Sequence, residues 1–205
     1  YGGEHQLFGP ESLIPNPFTV DSYLRGWKGF GRIGFDTFFR NSFFVTVVGT
    51  IGQVISSAVI AYGFGRIRFR LRSFWFVMMM LSMMLPSQVV MIPQFILFNS
   101  LGWVGTFLPL TVPAFLGSGF FVFLIMQFIS GVPRELDEAA RIDGCSTYSI
   151  FYRIIVPLMV PALVTAALFS FMWRWDDFFG ALLYLNNPQK YTVAIALKNF
   201  ADPTG

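Results

Sequence analysis

The stretch Val132-Pro133-Arg134-Glu135-Leu136-Asp137-Glu138-Ala139-Ala140-Arg141-Ile142-Asp143-Gly144 carries four of the chain's 11 acidic residues. It reads as one short helix. Pro133 suits the first helical position, Glu135, Asp137 and Glu138 suit the positive end of the dipole, and Gly144 suits the stop. Arg134 with Glu138, and Asp137 with Arg141, are spaced i,i+4. Leu136, Ala139 and Ala140 form a narrow apolar stripe. A helix this short is marginal alone in water and needs a surface to lie on. It is either a docking element for another protein or a structural hairpin between neighbouring segments. A second charged group, Arg174, Asp176 and Asp177, is flanked by Trp173 and Trp175. A third consists of amides, Gln53 and Gln88, each near the middle of a stretch without any charge.

Several chemistries are excluded. His5 is the single histidine and Cys145 the single cysteine, so neither a metal constellation nor an intrachain disulfide is expected. No G-x-x-x-x-G-K-[ST] run occurs, so the chain has no phosphate-binding loop of its own. No cofactor is expected. A net charge of +3, dispersed over the chain, gives no nucleic-acid surface.

The elements that must position these groups are apolar. Hydrophobic residues make up 55% and charged residues 12% of the 205, with a mean hydropathy of +0.61; about 25% charge is usual for soluble domains. Asn41–Gly65, Ser73–Phe98 and Gly105–Ser130 contain no charge, and a fourth such run covers Pro157–Trp173. Stretches of this kind argue for membrane-spanning helices, since lipid leaves backbone groups no outside partner. The expected spans are about 41–65, 73–98, 105–130 and 157–185. Pro86 and Pro93 should interrupt the second; Pro109, Pro113 and Gly117-Ser118-Gly119 should interrupt the third. The loop Arg66–Arg72 has four arginines and no acid, which places it in the cytoplasm together with residues 131–156. Asn99–Val104 then faces outside. Arg25, Lys28, Arg32 and Arg40 run against this orientation, partly balanced by Asp21 and Asp36. After Gly144, the apolar run from Tyr148 to Ile155 is expected to lie along the membrane face.

Depth decides what the acids near Trp175 do. A helix rising ~1.5 Å per residue from Pro157 reaches position 174 after about 25 Å, near the outer edge of a core about 30 Å thick. Phe178–Leu185 nevertheless continues apolar. Asp176 and Asp177 therefore border a polar pathway at its outer side with Arg174 as counter-charge, or else belong to an interfacial belt. Gln53 and Gln88 line the same pathway or bond between helices. The first three spans hold no Lys, Asp or Glu, which argues against proton or sodium coupling.

Glu138-Ala139-Ala140, then Asp143-Gly144, Ile154, Pro157 and Pro161, resembles the EAA motif of ABC-importer permeases. The run "ELDEAARIDGCSTYSIFYRIIVPLMVPAL" is similar to the carbohydrate-uptake branch, of the maltose type, second permease. "AYGFGRIRFR", "MMLPSQVVMIPQFILFNSLGWVGTFLPLTVPAF" and "WDDFFGALLYLNNPQKYTVAIAL" extend the resemblance over roughly residues 38–200. Cys145 stands where that family often has Ala, and Asp176-Asp177 where it often has Asn-Asp. The resemblance implies an all-α, polytopic transmembrane bundle with a cytoplasmic helical coupling loop, in a bacterial inner membrane. Its partners would be a second permease, two ATP-binding subunits and an extracytoplasmic solute-binding protein, with lipid around them. Glu138, Ala139, Ala140, Asp143 and Gly144 would contact the ATPase. The chain, which opens at Tyr1, is then expected to be a piece lacking a first and a last helix: residues 1–40 an outer segment, 41–185 the permease domain with coupling loop 131–156, and 186–205 an outer loop. A non-sugar solute, or a channel, are the alternatives.

Overall fold

The computed structural model describes residue 27 and residues 33–201. The expectation for residues 1–40, and His5 with it, falls largely outside these. The first helix, α1 (Phe35–Arg66), runs 32 residues. At ~1.5 Å per residue that is about 48 Å, more than a bilayer core of about 30 Å requires. Its two faces are inverted relative to a soluble helix. Ser42, Thr46, Thr50, Gln53 and Ser57 recur at helical spacing and are buried, whereas Phe44, Ile51, Ile55 and Val59 are exposed. Such a face, apolar outside and polar inside, suits lipid on one side and a polar interior on the other.

The expected second span is two helices. α2 (Arg72–Met83) and α3 (Ser87–Ser100) meet at 99°. The break falls at Met84-Leu85-Pro86, where the residue before proline is biased away from helix. Pro93, expected to interrupt as well, lies inside α3 without ending it. The third span is α4 (Leu108–Thr111), a 3-10 turn (Val112–Leu116) and α5 (Gly119–Ser130). Gly117 has φ +79°, and a Cβ there would come within 2.7 Å of Ile60 Cδ1, so only glycine suits this break.

Residues 131–156, expected as one loop, contain α6 (Glu135–Ile142), α7 (Thr147–Ile150) and a π-helical turn, Phe151–Ile155. α8 (Val156–Leu158) follows, and α9 (Val160–Trp175) departs at 74° from the 147–158 segment. Tyr148 and Tyr152 are exposed while Ile150, Phe151 and Ile155 are buried, giving this bent segment one apolar seat. The expected 157–185 span is therefore shorter, since α9 stops at Trp175 and α10 (Phe178–Tyr184) starts afresh. Beyond it, α11 (Val193–Ala201) packs Val193 and Ala196 against Phe35 and Phe38 at the start of α1. The outer loop expected over 186–205 thus has helical structure over much of its length.

Among the described residues, two helices, or up to four spans if each bent pair counts as one, are long and apolar enough to cross a membrane. The main core joins α1, α5 and the 150–166 region through Ala58, Ala61, Ile125, Ile129, Ile155 and Ala166. Small residues let the helices approach closely where no hydrophobic force separates protein from lipid. Arg66 meets Asp137 at one end of the bundle. At the other, Gly105 N–H donates to Tyr184 O and Asn41 Nδ2 to Gln189 O. The 66–72 loop and α6 therefore share an end, opposite residues 103–106.

Candidate functional site

Breaking a helix frees backbone carbonyls, and in this bundle side chains from neighbouring helices bond them. Pro113 has no N–H, so Leu110 O, which a continuing 3-10 turn would pair with residue 113, is left without its donor. Arg174 Nη1 of α9 donates to it at 3.1 Å. Ser56 Oγ of α1 lies 3.0 Å from Ala114 O, although its shorter contact is with Gly52 O of its own helix at 2.7 Å. Arg174 extends across the bundle because Gly49 leaves room; a Cβ there would come within 2.7 Å of Nη1. Its Nη2 reaches Gln53 Oε1 at 3.4 Å and its Nε reaches Ser170 Oγ at 3.4 Å. Gln53 Nε2 in turn donates to Ser57 Oγ at 2.9 Å.

This network forms one wall of a cavity of about 650 Å³, lined by Gln53, Gln88, Pro109, Arg174, Asp177 and Tyr184 among others. Three of the four residues expected on a pathway thus converge. Gln53 is buried, whereas Gln88 is exposed on the α3 side. Asp177 caps α10, its Oδ1 accepting from Gly180 N–H at 2.9 Å. Asp176 is exposed and does not line this cavity. The depth expected for Arg174 also changes. It meets Gln53 near the middle of α1, because the bend before Val160 turns 147–158 away from the axis of α9. Nor is it paired with a carboxylate within 4 Å; among the described residues the ion pair is Arg66–Asp137.

At the end of the bundle holding the arginine loop, α6 presents its acids. Glu138, Ala139, Asp143 and Gly144 are exposed, whereas Ala140 is buried in the core. Gly144 closes the helix with φ +81°, Cys145 N–H bonding Ala140 O at 2.9 Å and Gly144 N–H bonding Arg141 O at 3.0 Å. That is a Schellman stop, which requires the left-handed residue. Glu138 therefore stands on a short helix held at its C-terminal end and open to solvent on its acidic face.

Residues 57–204 match the family described as binding-protein-dependent transport system inner membrane component. The chain belongs to this family. A probable ABC transporter permease protein of Pyrococcus horikoshii is 36% identical, over 75% of this chain and 56% of that protein. The arabinooligosaccharides transport system permease protein AraQ of Halalkalibacterium halodurans is 31% identical, over 93% of this chain and 67% of that one. The fold is similar to a chain in the crystal structure of a bacterial ABC transporter involved in the import of the acidic polysaccharide alginate. There the TM-score is 0.86 at 25% identity, covering 98% of this chain and 69% of the other. This inner membrane component thus spans little more than half the length of the first relative and two thirds of the second.

Sequence reasoning missed two residues of this component. Arg66, counted only as part of a basic loop, is buried and bonds Asp137, Ile129 O and Val132 O. Asp137, assigned to an i,i+4 pair with Arg141, pairs across 71 positions instead. The signal available was weak: Asp137 stands three residues before Ala140, the one member of the apolar stripe that is buried, while Leu136 and Ala139 are exposed. Arg174 was noticed, but its carbonyl partner could be found only through the loss of a donor at Pro113.

Proposed function

We propose that this chain is a permease subunit of an ATP-driven importer, contributing half of the pathway for a sugar or related solute in a bacterial inner membrane that it crosses several times. Hydrolysis belongs to two ATP-binding partner subunits. A second permease completes the pathway, and an extracytoplasmic binding protein delivers the solute. The observation that carries this reading is the juxtaposition of two features on one rigid bundle. A cavity of about 650 Å³ with Gln53, Gln88, Arg174 and Asp177 in its otherwise mostly apolar lining lies among spans whose outward faces are apolar, and an acidic helix projects from the end bearing the arginine loop. Gln53, Gln88 and Asp177 face solute in the cavity, with Asp176 beside them at the helix break. Glu138, Ala139, Ala140, Asp143 and Gly144 form the ATPase-coupling element, Ala140 as its buried foot. The sugar-transport names of relatives support a carbohydrate cargo.

The test is uptake by the reconstituted complex. Glu138→Lys should leave the protein inserted and the cavity intact, because Glu138 is exposed and makes no ion pair among the described residues. ATP hydrolysis stimulated by the binding protein should nevertheless fall. A Glu138→Lys complex that assembles, hydrolyses ATP and imports solute as the wild type does refutes the coupling role.

A further inference from the structure

The short α6 has few anchors. Of its eight residues only Asp137 and Ala140 are buried. Ala140 packs into the main core. Asp137 Oδ2 lies 3.3 Å from Arg66 Nη1, the two side chains being 12% and 4% exposed. Arg66 is the last residue of α1. Its Nη2 donates to Ile129 O, in the last turn of α5, at 3.1 Å and to Val132 O, just beyond that helix, at 2.6 Å. One guanidinium therefore ties three elements together: the C-terminus of α1, the C-terminus of α5 and α6.

Stability alone is a poor reason for this arrangement. Arg66 Nε and Asp137 Oδ1 are buried without a hydrogen-bond partner, and an incompletely satisfied buried pair rarely repays its desolvation. Position is a better reason, since ion pairs of this kind are best attested as devices that fix registry. Both α1 and α5 help to wall the central bundle, and α1 carries Gln53 into the cavity. A displacement of α6 would reach them through a joint that is directional, short and hidden from water, where an electrostatic contact is stiffest.

We propose that Arg66 and Asp137 are positioning residues that form the mechanical joint of the coupling element, passing movement of α6 to α1 and α5 together. This rests on the importer reading above and assigns a role to residues outside the exposed docking face. Glu138 is exposed and meets the partner, whereas Asp137, the preceding residue and about 100° round the helix, is buried and holds the bundle. The two positions should therefore fail differently. Loss of Glu138 impairs response to the ATPase, while loss of the joint leaves hydrolysis running with less solute moved per ATP.

Cys145 supplies a reporter that needs no partner. It is the single cysteine, follows the Schellman stop of α6, and packs half-buried against the main core. Purified chain in detergent is labelled with a maleimide, in parallel with uptake and hydrolysis by the reconstituted complex. The variants are Asp137→Asn, Arg66→Gln and the double variant. Asp137→Asn is isosteric and keeps the question answerable if Arg66→Gln does not fold. The joint predicts labelling of each single variant about tenfold faster than wild type, equivalent to about 1.4 kcal/mol of lost seating. It also predicts ATP consumed per solute raised at unchanged association with the ATPase. The double variant should label no faster than Arg66→Gln alone, since removing the Asp137 carboxylate adds nothing once its partner is gone. Unchanged labelling in Asp137→Asn overturns the joint, and so does a double variant whose effects simply add. If the wild-type complex shows no ATP-driven uptake, the importer reading fails by itself, and labelling still decides whether the pair seats α6.

Discussion

Arg174→Met removes a guanidinium from the middle of the bundle while keeping a long apolar stem over Gly49. Three bonds disappear, to Leu110 O at 3.1 Å, Gln53 Oε1 at 3.4 Å and Ser170 Oγ at 3.4 Å. Interhelical hydrogen bonds in membranes average about 0.6 kcal/mol and reach about 1.7. The two long bonds belong near the average. The bond to Leu110 O belongs near the top, because Pro113 offers no N–H to replace it. The sum is about 3 kcal/mol. An opposing effect is the cost of holding an arginine at the centre of a span, about 2.5–3.5 kcal/mol. That cost also falls on the helices when they are inserted but unpacked, so it largely cancels in the folding step. Equilibrium unfolding in mixed micelles, followed by circular dichroism, should show Arg174→Met destabilised by about 2–4 kcal/mol. Arg174→Lys, with one charged donor left for Leu110 O, should recover about half. Gly49→Ala should fall between them, since its Cβ would lie 2.7 Å from Nη1 and 2.9 Å from Cζ. A variant Arg174→Met as stable as wild type, or more so, would mean that desolvation outweighs the bonds and that carbonyl capping is not what holds the break.

Asp177→Asn keeps the cap of α10, as asparagine caps as well as aspartate, whereas Asp177→Ala costs about 0.5–2 kcal/mol of stability. Reduced uptake in Asp177→Asn with unchanged unfolding identifies the charge as the functional feature, and Asp176→Asn, off the cavity wall, should transport normally. Gly144→Val introduces no clash, because nothing lies within 4 Å of a Cβ there. Its φ of +81° alone should cost about 1–2 kcal/mol and weaken ATPase co-purification about 5–30-fold, while Gly144→Asn is tolerated. Cysteine labelling in a Cys145→Ala background should reach positions 68 and 143 from the cytoplasm and position 100 from outside. Protection of position 100 from outside would reverse the assigned orientation.

The sequence by itself determined that the charge-free runs are helical and which part is polar enough to leave lipid, but not the breaks within those runs or the helix at Val193–Ala201. Charge-free runs, the dipole-matched acids of α6 and the Gly144 stop are local signals, and local backbone energetics honour them. Proline breaks were legible in part. Pro86 stands at the break, as the N-cap of α3, whereas Pro93 lies inside α3 without ending it. The cavity was half legible: Gln53, Gln88 and Asp177 were recognisable as odd in an apolar setting, but nothing local distinguished Asp177 from Asp176. Only packing decided that α10 restarts at Phe178, with Asp177 as its cap and Asp176 outside. Packing likewise chose Arg66 over Arg141 for Asp137, and Leu110 O over a carboxylate for Arg174. Helical periodicity fixes which face a residue occupies, but not which helix that face meets. Partners separated by 64, 71 or 121 positions are set by how the whole bundle closes.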